Sequence, residues 1–542
     1  MRQMNFSLRS GFWPLALAIA FFSIVVLLAM VYPISFWMGN DYETHALANA
    51  LNLAYRIGDR QMYEAVGLAY HPGVPFYLMS WFALALTGNP VASGGIDFFN
   101  TIIARVEDFH RALICVGAFT GAAGVYIFGR VAQKLVPPGV TLTGVLIWLF
   151  STPATLLMFM SPGIESFAIV VNGLFFAVMV PLAYEEDIDP SIVVFAGCVG
   201  ALGYLNKLPY IYIPLALFAA IFVKLLLSRA GWLRGAALMV VFLCTIALVV
   251  LAVAFVIIGW DGFLDLLNYH ETIIWGSQLY GTGDQTVVSK GEVWRAIAAI
   301  RAEYVYAVPM AFVSGMILLV GGLVTGIRRN EQAPVAVLCA GIGIAAMLSA
   351  LSVLKHYDIH YTAAVSATLP PSLVCLYVLA KSRGIDVGRV GAAFAAAAIL
   401  VMTVQSTGLL IERLSGRAEG AALAQADAKE IDSYLAESKR TVEFAYKAPF
   451  PQYGEGFILT YASIPRLTYD YFRSRPRVIS SMMAHLVSRD VGAYVIDKNY
   501  FRDVESVKAA ENLALLGPKP VRLEDGDKLI ELRTVYLLIR GR

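Results

Sequence analysis

Charge is scarce in this chain. Of its 542 residues only 15% are Asp, Glu, Lys or Arg, while 58% are hydrophobic and the mean hydropathy is +0.67. That balance excludes an ordinary soluble globular protein, in which about a quarter of residues are charged, and leaves a polytopic membrane protein. No block of lysine and arginine stands out and the net charge is only +2, so no nucleic-acid partner is indicated and membrane lipid is the implied environment. The five cysteines, Cys115, Cys198, Cys244, Cys339 and Cys375, sit in apolar runs without a pair at metal-ligand spacing. They read as small buried hydrophobes rather than as ligands or disulfide partners. No internal repeat is evident. The first apolar run lacks a small-residue cleavage site, so it reads as an anchor rather than a signal peptide.

What the chain has in quantity is apolar windows long enough to cross a hydrocarbon core. About eleven are expected, at 12–34, 109–129, 140–159, 166–184, 191–205, 209–227, 235–259, 304–326, 334–353, 361–380 and 388–411. Arginine and lysine in the short loops mark the cytoplasmic side. Arg2 and Arg9, Arg130 and Lys134, Lys224, Arg229 and Arg234, Arg328 and Arg329, and Lys381, Arg383 and Arg389 all fall on one side of this count. The amino terminus is therefore expected inside. The polar material gathers outside: 35–107, the turns at Glu165 and 206–208, the segment 259–303, the turn 355–360 and the tail after Glu412.

The expected fold is mainly α. It has a transmembrane domain over 1–411, short helices at 44–57 and 74–86 lying along the interface within the first outer loop (35–107), and a small periplasmic α/β domain over 412–542. In that tail AEGAALAQADAKEIDSYLAESKR reads as helix, and GAYVID (492–497) and TVYLLIR (534–540) as strands.

Ionisable residues so near a bilayer are costly and usually functional. GNDYETH (39–45) places Asp41, Glu43 and His45 just after the first span. In an extended segment all three point one way, whereas in a helix only Asp41 and His45 share a face; Asp41 also suits the N-cap of the helix that follows. His71, in HPGVPFY (71–77), precedes a proline and so sits at a bend, as a structural histidine or a substrate contact. Arg105 and Arg111 precede the second span. Glu165 lies in SPGIES (161–166), and Lys207 in the short turn of YLNKLPYIYIP (204–214), where it binds a phosphate or snorkels. KHYDIHY (355–361) supplies Lys355, His356 and His360; if helical, the histidines share a face, but no third ligand completes a zinc site. The segment 259–303, with Trp260, His270, Glu271, Trp275 and GSQLYGTGDQ (276–285), suits a flexible gate or an interfacial loop, and lacks the flanking strand and helix of a nucleotide-binding loop.

The order of these motifs over roughly residues 10–380 resembles the GT-C superfamily of membrane glycosyltransferases, which includes protein O-mannosyltransferases and the aminoarabinose transferase of lipid A. The resemblance rests on the acidic pair after span one, the His-Pro stretch, an arginine before span two, and the turn at Lys207, which is similar to an LTKGP-like turn. It implies an inverting transfer of sugar from a polyprenyl-phosphate donor to an envelope acceptor, on the periplasmic face of a bacterial inner membrane. Asp41 is then the first choice of base, with Glu43 its partner or substitute. His45, His71, Arg105, Arg111, Lys207, Lys355, His356 and His360 become substrate contacts. Glu165 stands where relatives place a second acidic residue, to position the acceptor or a divalent cation, magnesium or manganese; no cofactor is required, since the mannosyltransferase-like relatives work without metal. The motif departs from the family's adjacent acids, because Tyr42 separates them, and counting from the following glycine favours Glu43. The alternatives are a transporter or lipid flippase and a noncatalytic envelope-assembly subunit.

Overall fold

The structure, a computed structural model, describes residues 12–38, 41–58, 73–88, 91, 95–227, 232–276, 285–328, 330–438, 441–444, 455, 458, 478–480, 491–498, 501, 503–513 and 521–541. It is mostly helical. Among the described residues nine helices are long and apolar enough to cross a membrane, or ten if the bent pair Pro138–Phe150 and Ala154–Met160 is one span. The remaining window expected from the sequence is the apolar helix Pro190–Asn206, only 17 residues long. The expected windows thus recur as helices, and what hydropathy could not show was the 74° bend inside one of them.

The bend has a local cause. Pro153 brings no N–H to a helical ladder, and the Ser151 carbonyl accepts from the amides of Tyr306 (2.8 Å) and Ala307 (3.0 Å) while the Thr155 amide turns to Thr152. Buried hydroxyls then pin the turn: Thr152 bonds Thr362 (2.7 Å) and Thr155 bonds Ser366 (2.9 Å). Non-helical backbone at this depth is tolerated because protein groups satisfy it.

The chain divides into two compact units. The first comprises Met1–Val31, Leu68–Met79 and Ile114–Glu412; the second comprises Tyr32–Gly67, Ser80–Leu113 and Arg413–Arg542. Much of the segment 35–107 therefore belongs to the same unit as the tail. In the first unit, Val106–Ala132 and the span beginning at Ile164 approach closely at two glycines. A Cβ on Gly124 would stand 2.7 Å from the Ile169 backbone, and one on Gly173 would stand 2.9 Å from the Gly124 carbonyl oxygen. Of the cysteines, Cys339 and Cys375 are buried as expected, whereas Cys115 and Cys244 are exposed and Cys198 is half-buried. Apolar helices in a bilayer turn one side outward, and small apolar residues there need no protein cover.

In the second unit the tail forms a five-stranded sheet, order β2-β1-β3-β5-β4, from β1 (Thr441–Phe444), β2 (Val478–Ser480), β3 (Val491–Asp497), β4 (Lys528–Glu531) and β5 (Val535–Ile539). β1 runs parallel to β2 and β3, and β5 antiparallel to β3 and β4. Strand alternation sends Val495 and Leu537 to one face with Ile431, and Ile496 and Tyr536 to the other with Val507. Ile431 comes from a 50-residue helix, Gly388–Glu437, which continues the last apolar window into the tail without a break. Asp427 on this helix, fully buried, accepts from the Arg533 amide (3.1 Å) and guanidinium (3.0 Å) and from the Thr534 amide (2.5 Å) and hydroxyl (2.7 Å), fixing the β4–β5 turn.

The two helices expected in the first outer loop are present as Asp41–Gly58 and Val74–Thr87. Every residue from Ala46 to Ala54 in the former is buried. It is packed on all sides, not laid with one face open as an interfacial helix would be.

Candidate functional site

In the first unit, residues from four of the sequence motifs meet. Glu165 opens the span beginning at Ile164, Lys207 forms the single-residue link between Pro190–Asn206 and Leu208–Ile211, and the two make an ion pair with essentially no exposed surface. His360 lies beside them, its Nε2 3.8 Å from a Glu165 oxygen and its Nδ1 2.7 Å from Asp358. The Lys207 ammonium stands 4.4 Å above the Tyr361 ring, whose centroid lies 4.1 Å from that of His360 with the planes tilted by 49°. Burial pushes the Asp358 carboxyl up, but the hydrogen bond and charge of His360 overcome this and hold it down at about 2, so Asp358 is anionic at neutral pH. Gly73, at φ +53, donates its amide to the Asn206 carbonyl (3.1 Å) and bears the Tyr77 ring against its own Cα. A residue with a side chain fits neither that backbone nor that contact. Asn206 in turn donates to the Ile164 carbonyl (3.3 Å). Tyr210, fully buried, is close enough to Glu165 to feel its charge.

The electrostatics constrain what this cluster can do. Lys207 is matched by Glu165, and Asp358 lies against the His360 ring, so the group is not a bare cationic pocket. An anionic ligand must compete with Glu165 for Lys207. Glu165 in turn already has a cation beside it, which leaves a metal ligand's role no advantage. Among the described residues no group of three or more His, Cys, Asp or Glu is placed to hold a metal.

In the second unit, helix Asp41–Gly58 starts at the acidic motif. At helical spacing, Glu43 and His45 lie on different faces of this helix. Glu43 is fully buried, 3.6 Å from Nε2 of the buried His110, and it attracts the Arg417 guanidinium. One turn earlier, Glu107 accepts from the Ser35 hydroxyl (2.7 Å) and the Phe36 amide (3.1 Å). Glu107 and His110, three residues apart on one helix face, thus grip the chain on both sides of Asp41.

Of the other expected residues, His356 borders the charged cluster, its ring 5.7 Å from that of Tyr361 and near enough to Lys207 and His360 to feel their charge. Arg105 and Arg111 are exposed, and both face Asp108, at 3.3 and 3.5 Å; such surface pairs contribute little. Lys355 donates to the Ile274 carbonyl (2.6 Å). His356 ends its helix in an extended conformation and His360 lies in the short helix Ile359–Tyr361, so the two do not share a helical face; burial lowers the His356 pKa. In the 259–303 segment, Trp260–Trp275 is a helix, and burial pushes His270 down to about 4, leaving a neutral ring 3.2 Å from the Tyr204 hydroxyl. His71 and most of the glycine-rich stretch, 277–284, lie outside the described residues.

Sequence reasoning did not single out His110, Glu107, Asp358, Tyr361 or Arg417. His110 carried a usable signal, an ionisable residue at the start of an apolar helix; the others gain meaning only through neighbours distant in sequence. No protein-family model matches the chain, and no characterised protein shows significant similarity to it.

Proposed function

We propose that this protein is a GT-C-type glycosyltransferase that moves a sugar from a polyprenyl phosphate to an envelope acceptor at the periplasmic face of a bacterial inner membrane. The observation that carries this reading is the meeting of Gly73, Glu165, Lys207 and His360, drawn from motifs that the resemblance had grouped. In the reaction the acceptor hydroxyl attacks the anomeric carbon, the bond from that carbon to the phosphate oxygen breaks, and the proton passes to a carboxylate. The resemblance gives that role to Asp41, with Glu43 as its partner or substitute. Glu43, buried against His110, holds the helix that carries it. Within the first unit, the Lys207 ammonium is the group suited to the leaving phosphate, with Glu165 holding it until that charge develops and His360 beside them as a further contact.

A transporter is favoured by one observation, the fully buried Glu165–Lys207 pair, since buried ionisable groups mark transport pathways. Both residues, however, stand at helix ends rather than mid-span, which fits chemistry at a membrane face.

Membranes containing wild type, Asp41→Asn or Glu43→Gln, given labelled polyprenyl-phosphate sugars and envelope extract, test the proposal. Donor-dependent transfer should fall at least a hundredfold in Asp41→Asn at unchanged expression, with the loss mainly in kcat. Absence of transfer with every donor, or full transfer in both variants, overturns it.

A further inference from the structure

A second candidate site lies in the first unit, and it shares no lining residue with the charged cluster. Helix Lys290–Ala302 and the start of helix Ala307–Arg328 enclose a half-open groove of about 550 Å³, closed from the third side by Leu354. That volume falls within the range of ligand cavities, about 300–1,000 Å³. Its wall is almost wholly apolar, from Ile297 and Ile300 to Val308 and Phe312. Arg301 stands among these residues, exposed, and among the described residues no ion pair or hydrogen bond engages its guanidinium. Beside it Tyr304 has φ +52, the one positive φ at a described residue other than glycine, a conformation that costs about 1 kcal/mol or more. Tyr304 lines the groove in this conformation.

A lone cation over an apolar slot matches one chemistry: an anionic head joined to a hydrocarbon chain. The groove opens where an apolar span, Ala307–Ile327, begins, and the arginine and lysine distribution puts that end at the outer leaflet. Its size suits one acyl chain and is small for a long polyprenyl. We propose that this groove binds one acyl chain of an anionic phospholipid, with Arg301 on the lipid phosphate. The site is independent of the glycosyltransferase reading, and it couples the helices on its two sides to the charge of the surrounding leaflet.

The test is native mass spectrometry of the full chain released from nanodiscs of phosphatidylglycerol or of phosphatidylcholine. One phosphatidylglycerol should remain bound per chain, and phosphatidylcholine should not. Arg301→Ala should weaken retention about tenfold, the worth of one charge-assisted contact, and Arg301→Lys should restore part of it. Ile297→Trp, which fills the slot at its exposed rim, should remove the lipid while leaving the thermal transition unchanged. Equal retention of phosphatidylcholine, or undiminished binding in Arg301→Ala, overturns the proposal. So does full displacement of phosphatidylglycerol by an equimolar polyprenyl phosphate, which would give the groove to the donor.

Discussion

A lysine with no exposed surface keeps its charge only while a carboxylate sits beside it. Removing one partner of such a pair leaves the other charged and buried, at a cost of about 3–5 kcal/mol, whereas removing both is often neutral. Lys207→Met should therefore sharply lower the thermal transition of the detergent-solubilised protein, and Lys207→Met with Glu165→Leu should recover most of the loss. Under the proposed function neither variant transfers sugar, so stability and activity separate in the double variant. An unchanged transition in Lys207→Met would show that the pair does not hold these helices together. A different buried acid governs the tail. Burial raises the Glu443 carboxyl from the ordinary 4.5 to about 7. Between those values the folded chain holds a proton that the unfolded chain has lost, so stability falls as pH rises through this window and stays lower above it. The gap is worth roughly 3 kcal/mol. Glu443→Gln should flatten that dependence and stabilise the sheet at pH 8, read as slower hydrogen exchange at 491–497; exchange equal to wild type at pH 8 would refute it.

Elements that depend on local pattern were readable in advance, and those that depend on distant partners were not. The apolar windows became helices because each is long enough to need its backbone satisfied internally. A helix after the acidic motif was legible from an acid ahead of an apolar run, but it was expected from 44 and begins at Asp41, which is part of the helix rather than its cap. The turn at 151–153 was not, because its carbonyl partners lie at Tyr306 and Ala307. Nor was the unbroken Gly388–Glu437 helix, whose polar second half is held by the sheet through Ile431 and Asp427. The candidate site divides the same way. Lys207, Glu165 and His360 were visible as motifs, while Asp358 and Tyr361 gained meaning only once packed against them. Close helix contact gives a further test. Gly124→Val places two methyl groups where the Ile169 backbone already stands, and backbone cannot yield as a flexible side chain does. This variant should lose folded protein on fluorescence-detected size exclusion, whereas Gly139→Ala, with nothing within 4 Å of the added carbon, should behave as wild type. A normal Gly124→Val profile would mean the two helices separate readily.

For the molecule as a whole, the parity of the crossings decides which side each end occupies. The sequence expectation of eleven spans puts the two ends on opposite sides. The structure makes two of those crossings structurally distinctive: the pair bent by 74° and the 17-residue Pro190–Asn206. If the bent pair turned back within the bilayer while all others crossed, the count would become even and both ends would share a side. The loops after it would also reverse. Glu186 and the tail test this directly. With the native cysteines replaced, Glu186→Cys should react with a membrane-impermeant maleimide only after the membrane is opened, and Ala510→Cys should react in intact cells. That result keeps the bent pair as a full crossing and holds Glu165, Lys207 and His360 at the outer face, the side the proposed function requires. Labelling of Glu186→Cys in intact cells would reverse the loops that follow the bend, and the charged cluster would then face the cytoplasm, which the proposed function cannot accommodate.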